Sequence, residues 1–202
     1  MTIDAAQIEA VIRKVLAQIP AEDAPEASGG DGVFDDIEAA IAAADAAAKA
    51  YRRCSLAERR RFIAAVREVM SAPENLDYMA AQAVIETGMG DVAHKYLKNN
   101  IAAQSTPGVE DLETTAWSGD GGLTTVEYSA YGVIGAITPT TNPTVTIICN
   151  TIGMLAAGNA VVFSPHPRAK NLSLWQVRKI NRALRAAGAP ETLVVTVYEP
   201  HI

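Results

Sequence analysis

Three short apolar runs, at 133–138, 160–164 and 193–197, alternate with two helical stretches at 143–157 and 169–187. Parallel strands need a crossover of a dozen or more residues between them, and that crossover is right-handed. The order strand–helix–strand–helix–strand therefore predicts an α/β chain with a Rossmann-like parallel sheet. Ligands of such sheets sit beyond the carboxyl ends of the strands. Gly158-Asn159 and Gly188-Ala189-Pro190 supply the turns that bring each helix back to the next strand, as left-handed or rigid backbone does elsewhere.

Two loops fall at those carboxyl ends. The first is Thr138-Pro139-Thr140-Thr141-Asn142, and the second is Ser164-Pro165-His166-Pro167. Both are small, polar and braced by proline. Neither carries the glycine fingerprint of a dinucleotide turn: Gly132 and Gly135 precede or begin the strand, and Gly153 lies inside a helix. There is no Walker A and no G-x-S-x-G. Pro143 suits a first helical position, which makes Asn142 the expected N-cap, its side-chain oxygen accepting a backbone N–H. Its amide NH₂ would then face the crevice. Asn142 either only caps its helix or also serves as a donor to a developing oxyanion beside a helix N-terminus.

The remainder of the chain divides by pattern. Residues 33–100 read as helices. Ile37, Ile41, Ala44, Ala48 and Tyr51 form one stripe, and Ser55 with Glu58 forms a capping box. Pro73 opens a third helix that runs to about Thr87, with Gly88 as its stop. A fourth is expected over 91–100. Residues 101–130 read as a β-hairpin or linker region, punctuated by Gly-Asp-Gly-Gly at 119–122, before the last part at 131–202. At the other end, Ile8, Val11, Ile12, Val15, Leu16 and Ile19 line one face of a helix over residues 1–20. Residues 21–32, rich in Ala, Pro, Gly, Ser and acids, read as a flexible linker. A helix this short is marginal alone, so it packs back onto its own chain or docks in another protein's groove.

Charge and cysteine usage narrow the function classes. A formal net charge of −6 and a pI near 5.1 argue against nucleic-acid binding. Arg52-Arg53 and Arg59-Arg60-Arg61 are clusters read as a solvated helix face. Two distant cysteines, Cys54 and Cys149, and three histidines show no metal-ligand spacing, so no metal is expected. Such cysteine usage suits a reducing cytoplasm. No run of 18 or more apolar residues occurs, and no secretory signal, so no membrane partner is expected. Cys54 precedes a helix start and Cys149 falls on a buried helical face; both are read as inert thiols. No tyrosine has a lysine four residues on, which removes the short-chain reductase pattern.

The segments GVIGAITPTTNPT, AAGNAVVFSPHPRAK and ETGMG resemble the CoA-acylating aldehyde dehydrogenases, above all the propionaldehyde and acetaldehyde dehydrogenases of bacterial microcompartments. The resemblance covers residue 33 to the end. It implies NAD-dependent oxidation of a short aldehyde, with coenzyme A taking the acyl group from a cysteine thioester. Thr138, Pro139, Thr140 and Thr141 would line the nicotinamide side, and Ser164, Pro165, His166 and Pro167 the adenosine side. The helix at 1–20 resembles an encapsulation peptide for a microcompartment shell protein, placing the chain in the cytoplasm inside that compartment. A homo-oligomer is implied for the full-length enzyme, with residues 124–130 joining an intersubunit sheet. In hydrolytic relatives the oxyanion asparagine stands where this chain has Thr141, and a ribose-binding lysine where it has Ser164. The family nucleophile lies in a catalytic domain that these 202 residues do not reach, so the chain is expected to be inactive alone. The alternative is a non-catalytic cargo or interaction module built from a truncated dehydrogenase.

Overall fold

The computed structural model describes residues 29–199. The helix expected over 1–20 and most of the linker lie outside the described residues. Strand β1 (Val33–Phe34) leads into four helices: α1 (Ile37–Tyr51), α2 (Leu56–Ser71), α3 (Pro73–Thr87) and α4 (Val92–Ser105). An antiparallel hairpin follows, β2 (Thr115–Gly119) and β3 (Gly122–Val126). Then come β4 (Val133–Thr138), α5 (Pro143–Ala156), β5 (Ala160–Pro165), α6 (Lys170–Ala186) and β6 (Val194–Val197). The α/β order read from the sequence is the order in the structure, with ends shifted by a residue or two.

The main sheet runs β1-β6-β5-β4, and every pairing is parallel. Helices α5 and α6 are the crossovers. Residues 33–100 are not helical throughout, as the sequence suggested, because Val33 and Phe34 pair with Thr196 and Val197. Two residues are too short to show strand periodicity. They are held instead by a polar clasp just ahead of them. Arg182 Nε and Arg185 Nη2 donate to the Asp31 carboxylate at 2.5 and 2.6 Å, and Asn181 Nδ2 donates to the Asp31 and Val194 carbonyls at 3.0 and 2.5 Å. Burial alone would raise the Asp31 carboxyl, but the two guanidiniums outweigh it and hold the group below its usual range. Gly32, at φ +88°, is needed there: a Cβ would overlap Asn181 Nδ2 and the Val194 carbonyl.

Local rules explain the helices. Ser55 and Glu58 form the reciprocal capping box, Pro73 opens α3, and Gly88 closes it in the left-handed region at φ 68°. The buried face of α1 differs from the expected stripe. Ala40, Ala44, Ala47, Ala48 and Tyr51 are buried, whereas Ile37 and Ile41 are exposed. Small residues let the helix approach its neighbours closely, and the sequence pattern of large apolar side chains misses that face. Phe163 of β5, Ile147, Ile148 and Leu155 of α5, and Phe62 and Met70 of α2 fill the core. The Tyr51 hydroxyl donates to the Leu155 carbonyl at 3.0 Å and ties α1 to the end of α5.

Two regions are uncovered. Every residue of β2 and β3 is exposed, including Trp117 and Leu123. On β4, Gly135 and Ile137 point away from the core, and Ile137 is 86% exposed. No helix among the described residues is long and apolar enough to cross a membrane.

Candidate cofactor-binding site

Parallel pairing sets the two strand-end loops side by side. Ile137 stands opposite Ser164, and Thr138 opposite Pro165. Neighbouring strands lie about 4.8 Å apart, so Thr138-Pro139 and Pro165-His166 occupy one edge of the sheet. The Thr138 hydroxyl is buried there without a hydrogen-bond partner. Thr140 and Asn142 are half-buried, Pro139 and Thr141 exposed.

Asn142 does not cap α5 with its side chain, contrary to the sequence reading. Lys98 Nζ donates to Asn142 Oδ1 at 2.9 Å. An ammonium donor outcompetes a neutral backbone N–H for that oxygen. Lysine has only donors, so the oxygen must face Lys98 and the amide NH₂ must face away. No side chain caps the first turn of α5, which Pro143 opens. Its positive end thus stays available to an anion or a developing oxyanion. The Asn142 oxygen is thus held by Lys98 and not by the backbone of α5.

His166 is also engaged locally. Its Nδ1 accepts the Arg168 N–H at 3.1 Å and caps the short 3₁₀ turn Pro167–Ala169. That bond requires an unprotonated Nδ1, so Nε2 is the donor that faces outward. Ser164 is half-buried and Pro167 exposed.

The corner between α3 and α4, where ETGMG lies, joins both loops. Lys95 Nζ donates to the Thr141 carbonyl at 2.5 Å, beside the Lys98 bond to Asn142. Arg168 Nη2 donates to the Thr87 carbonyl at 2.7 Å, and Glu86 Oε1 accepts the Leu172 N–H at 2.9 Å. Glu86 thus supplies the cap that the N-terminus of α6 lacks, since Ala169 has no side-chain acceptor. Burial raises the Glu86 carboxyl above its usual range, although the N–H groups of Leu172 and Asn171 oppose the rise. Lys95 is only 5% exposed, and its ammonium is pushed below its usual range by burial and then by Lys98. Thr141 and Asn142 line a cleft of about 310 Å³ with Met89, Gly90, Asp91, His94, Lys95 and Lys98. Ser164, Pro165, His166 and Pro167 do not line this cleft; they lie on the same sheet edge, on the other side of the corner's contacts.

Sequence reasoning missed Glu86, Lys95, Lys98 and Arg168. The lysines' i, i+3 spacing puts both on one helix face, and that was the available signal. His94 is exposed, lines the cleft and lies beside the Asp91 carboxylate.

Neither cysteine looks like a nucleophile. Burial, then Glu58, raises the Cys54 thiol above its ordinary range. Cys149 is half-buried rather than fully buried as expected, and its sulfur accepts the Thr106 hydroxyl at 3.2 Å.

Residues 13–201 match the aldehyde dehydrogenase family. The chain belongs to that family. It is similar to the CoA-propanoylating propanal dehydrogenase of Citrobacter freundii, 46% identical over 98% of this chain and 42% of that protein. It is also similar to the acetylating acetaldehyde dehydrogenase EutE of Escherichia coli K12, 43% identical over 96% of this chain and 41% of that protein. Among solved structures, Rhodopseudomonas palustris propionaldehyde dehydrogenase with bound propionyl-CoA superposes with a TM-score of 0.84. The identity is 59%, over 85% of this chain and 38% of that one. The chain spans about two fifths of the length of the curated relatives it matches.

The tertiary cap on α6 of this aldehyde dehydrogenase chain is testable. Glu86→Ala should cost about 1 kcal/mol in urea unfolding, the usual value of a helix cap, and Glu86→Gln should cost less. Because the folded carboxyl titrates above its unfolded value, the folded state holds that proton more tightly. The stability of the wild type relative to Glu86→Gln should therefore fall as pH rises through the range just above the unfolded value of about 4.3. A difference that is flat with pH, or that rises, would contradict the buried cap.

Proposed function

We propose that this chain carries the dinucleotide- and CoA-binding part of a CoA-acylating aldehyde dehydrogenase, which oxidises a short aldehyde to its acyl-CoA with NAD. One observation carries the reading: β4 and β5 end in register, Thr138 against Pro165, so two proline-braced polar loops share one edge of a parallel sheet. Relatives acting on propanal and acetaldehyde support it. So does a similar structure that holds propionyl-CoA.

The residues present fit such a ligand. The buried Thr138 hydroxyl lacks a partner, the first turn of α5 has no side-chain cap, and two glycine-poor loops leave backbone and small side chains at the edge. Thr138, Pro139, Thr140 and Thr141 would hold the nicotinamide side. Ser164, Pro165, His166 and Pro167 would hold the adenosine side, His166 through Nε2. When bound, the dinucleotide accepts hydride and CoA accepts the acyl group. Asn142, held by Lys98, directs its amide toward the place where an aldehyde oxygen gains charge, as an oxyanion donor. A small aldehyde enters by the cleft that Lys95 and Lys98 border. Residues 33–202 form the first part of the NAD- and CoA-binding domain, made of a helical segment, the hairpin region at 101–130 and the βαβαβ unit at 131–202. In this reading neither Cys54 nor Cys149 serves as the nucleophile.

Residues 1–20 act as an encapsulation signal that directs the protein to a microcompartment shell in the cytoplasm. Similar structures include a propionaldehyde dehydrogenase of a Clostridium phytofermentans fucose-utilisation microcompartment, which supports this. Removing residues 1–20 should abolish co-sedimentation with shell proteins and leave the circular dichroism of the body intact. Undiminished co-sedimentation would refute the targeting role.

The cofactor reading is tested by calorimetric titration. NAD and CoA should each bind the chain and displace one another. His166→Ala should weaken both, and Lys98→Met should weaken both to a smaller extent, because Lys98 acts only through the Asn142 end of the first loop. Non-competitive binding, or none, would refute a shared site.

A further inference from the structure

A second basic site lies at the opposite edge of the sheet. Arg52, Arg59, Tyr128, Ser129, Ala130 and Ala157 line a cleft of about 330 Å³ beside the start of β4 and the end of α5. We infer that this cleft is an anion site that takes the phosphate group of a small ligand.

The argument begins with charge. The chain is acidic overall, at −6, yet two guanidiniums border this cleft and no carboxylate among the described residues pairs with either. Arg52 Nη2 makes one long contact, 3.5 Å, to the Tyr131 carbonyl, and Arg59 Nη1 donates to the Ala156 carbonyl at 3.3 Å. Arg59 Nε is buried without a partner. Each arginine stands near a helix C-terminus, of α1 and of α5, whose partial charge offsets about half a unit. About one positive charge remains uncompensated, and most of the fork-shaped N–H donors are unused.

The backbone makes room for these groups. Gly158, at φ +88°, packs against Arg59: a Cβ there would lie 2.7 Å from Nη1 and 2.9 Å from Nη2. The Arg59 guanidinium also stacks 5.4 Å from the Tyr51 ring centre, which fixes its plane. A rigid planar fork with free N–H groups, a second, exposed arginine and the hydroxyl-bearing Tyr128 and Ser129 match the several acceptor oxygens of a phosphate. A cleft of this volume also exceeds a simple monatomic anion. The arginine runs read from the sequence as a solvated face therefore divide: Arg52 and Arg59 border the cleft, and Arg53, Arg60 and Arg61 do not. The inference is independent of the cofactor reading, because β4 separates the two edges by about 20 Å.

Inorganic phosphate is the first probe, titrated calorimetrically into the 202-residue chain at low ionic strength. Saturable binding at one site is expected, weakened about tenfold by either Arg52→Gln or Arg59→Gln, the loss of roughly one charge-assisted hydrogen bond. Arg60→Gln, outside the cleft, should leave it unchanged. Arg52 is exposed, so its variant reports on the site even where Arg59→Gln disturbs packing against Tyr51. Added salt should weaken binding. Phosphate that does not saturate, or that binds Arg52→Gln and Arg60→Gln equally well, overturns the inference.

Discussion

The geometry of the edge that the two strand ends share depends on the corner between α3 and α4. Lys95 and Lys98 hold the Thr141–Asn142 loop from one side. Arg168 reaches back from the second loop to the Thr87 carbonyl, and Glu86 receives the first N–H groups of α6. Strand pairing alone brings Thr138 beside Pro165 but leaves the residues beyond them free to wander. Hydrogen bonds to charged groups are the stronger kind, and here they fix both loops.

That corner is electrostatically costly. Burial lowers Lys95 and raises Glu86, so both groups carry charge against their surroundings. Neither is neutralised by the other. Lys95 is 5% exposed, and among the described residues its ammonium bonds to the Thr141 carbonyl and to no carboxylate, so its burial costs stability. Of the two, Lys95 lines the cleft, whereas Glu86 serves the start of α6. The same corner explains why Asn142 can present its amide outward: Lys98 takes the oxygen that would otherwise cap α5.

Much of this was legible in the residues. The βαβαβ order followed from apolar runs separated by helical stretches. The capping box at Ser55 and the stop at Gly88 followed from local chemistry, and each lies where the structure has it. The two strand-end loops were found because proline and small polar residues replaced the expected glycines. What escaped was non-local. β1 is two residues long and depends on Asp31 meeting Arg182 and Arg185, about 150 positions away. The buried face of α1 is alanine, which large-residue periodicity does not flag. The partner of Asn142 lies on another helix, 44 residues earlier, and no spacing rule connects them.

The central claim is that the α3–α4 corner and the two strand ends act as one binding edge. It is tested most directly by residue-resolved amide chemical shifts during titration with NAD. The account predicts that Thr138, Thr140, Thr141, Asn142, Ser164 and His166 move together with Thr87, Met89, Lys95 and Lys98, while the exposed hairpin stays still. Shifts confined to the hairpin or scattered over the surface, with that edge unmoved, would contradict it.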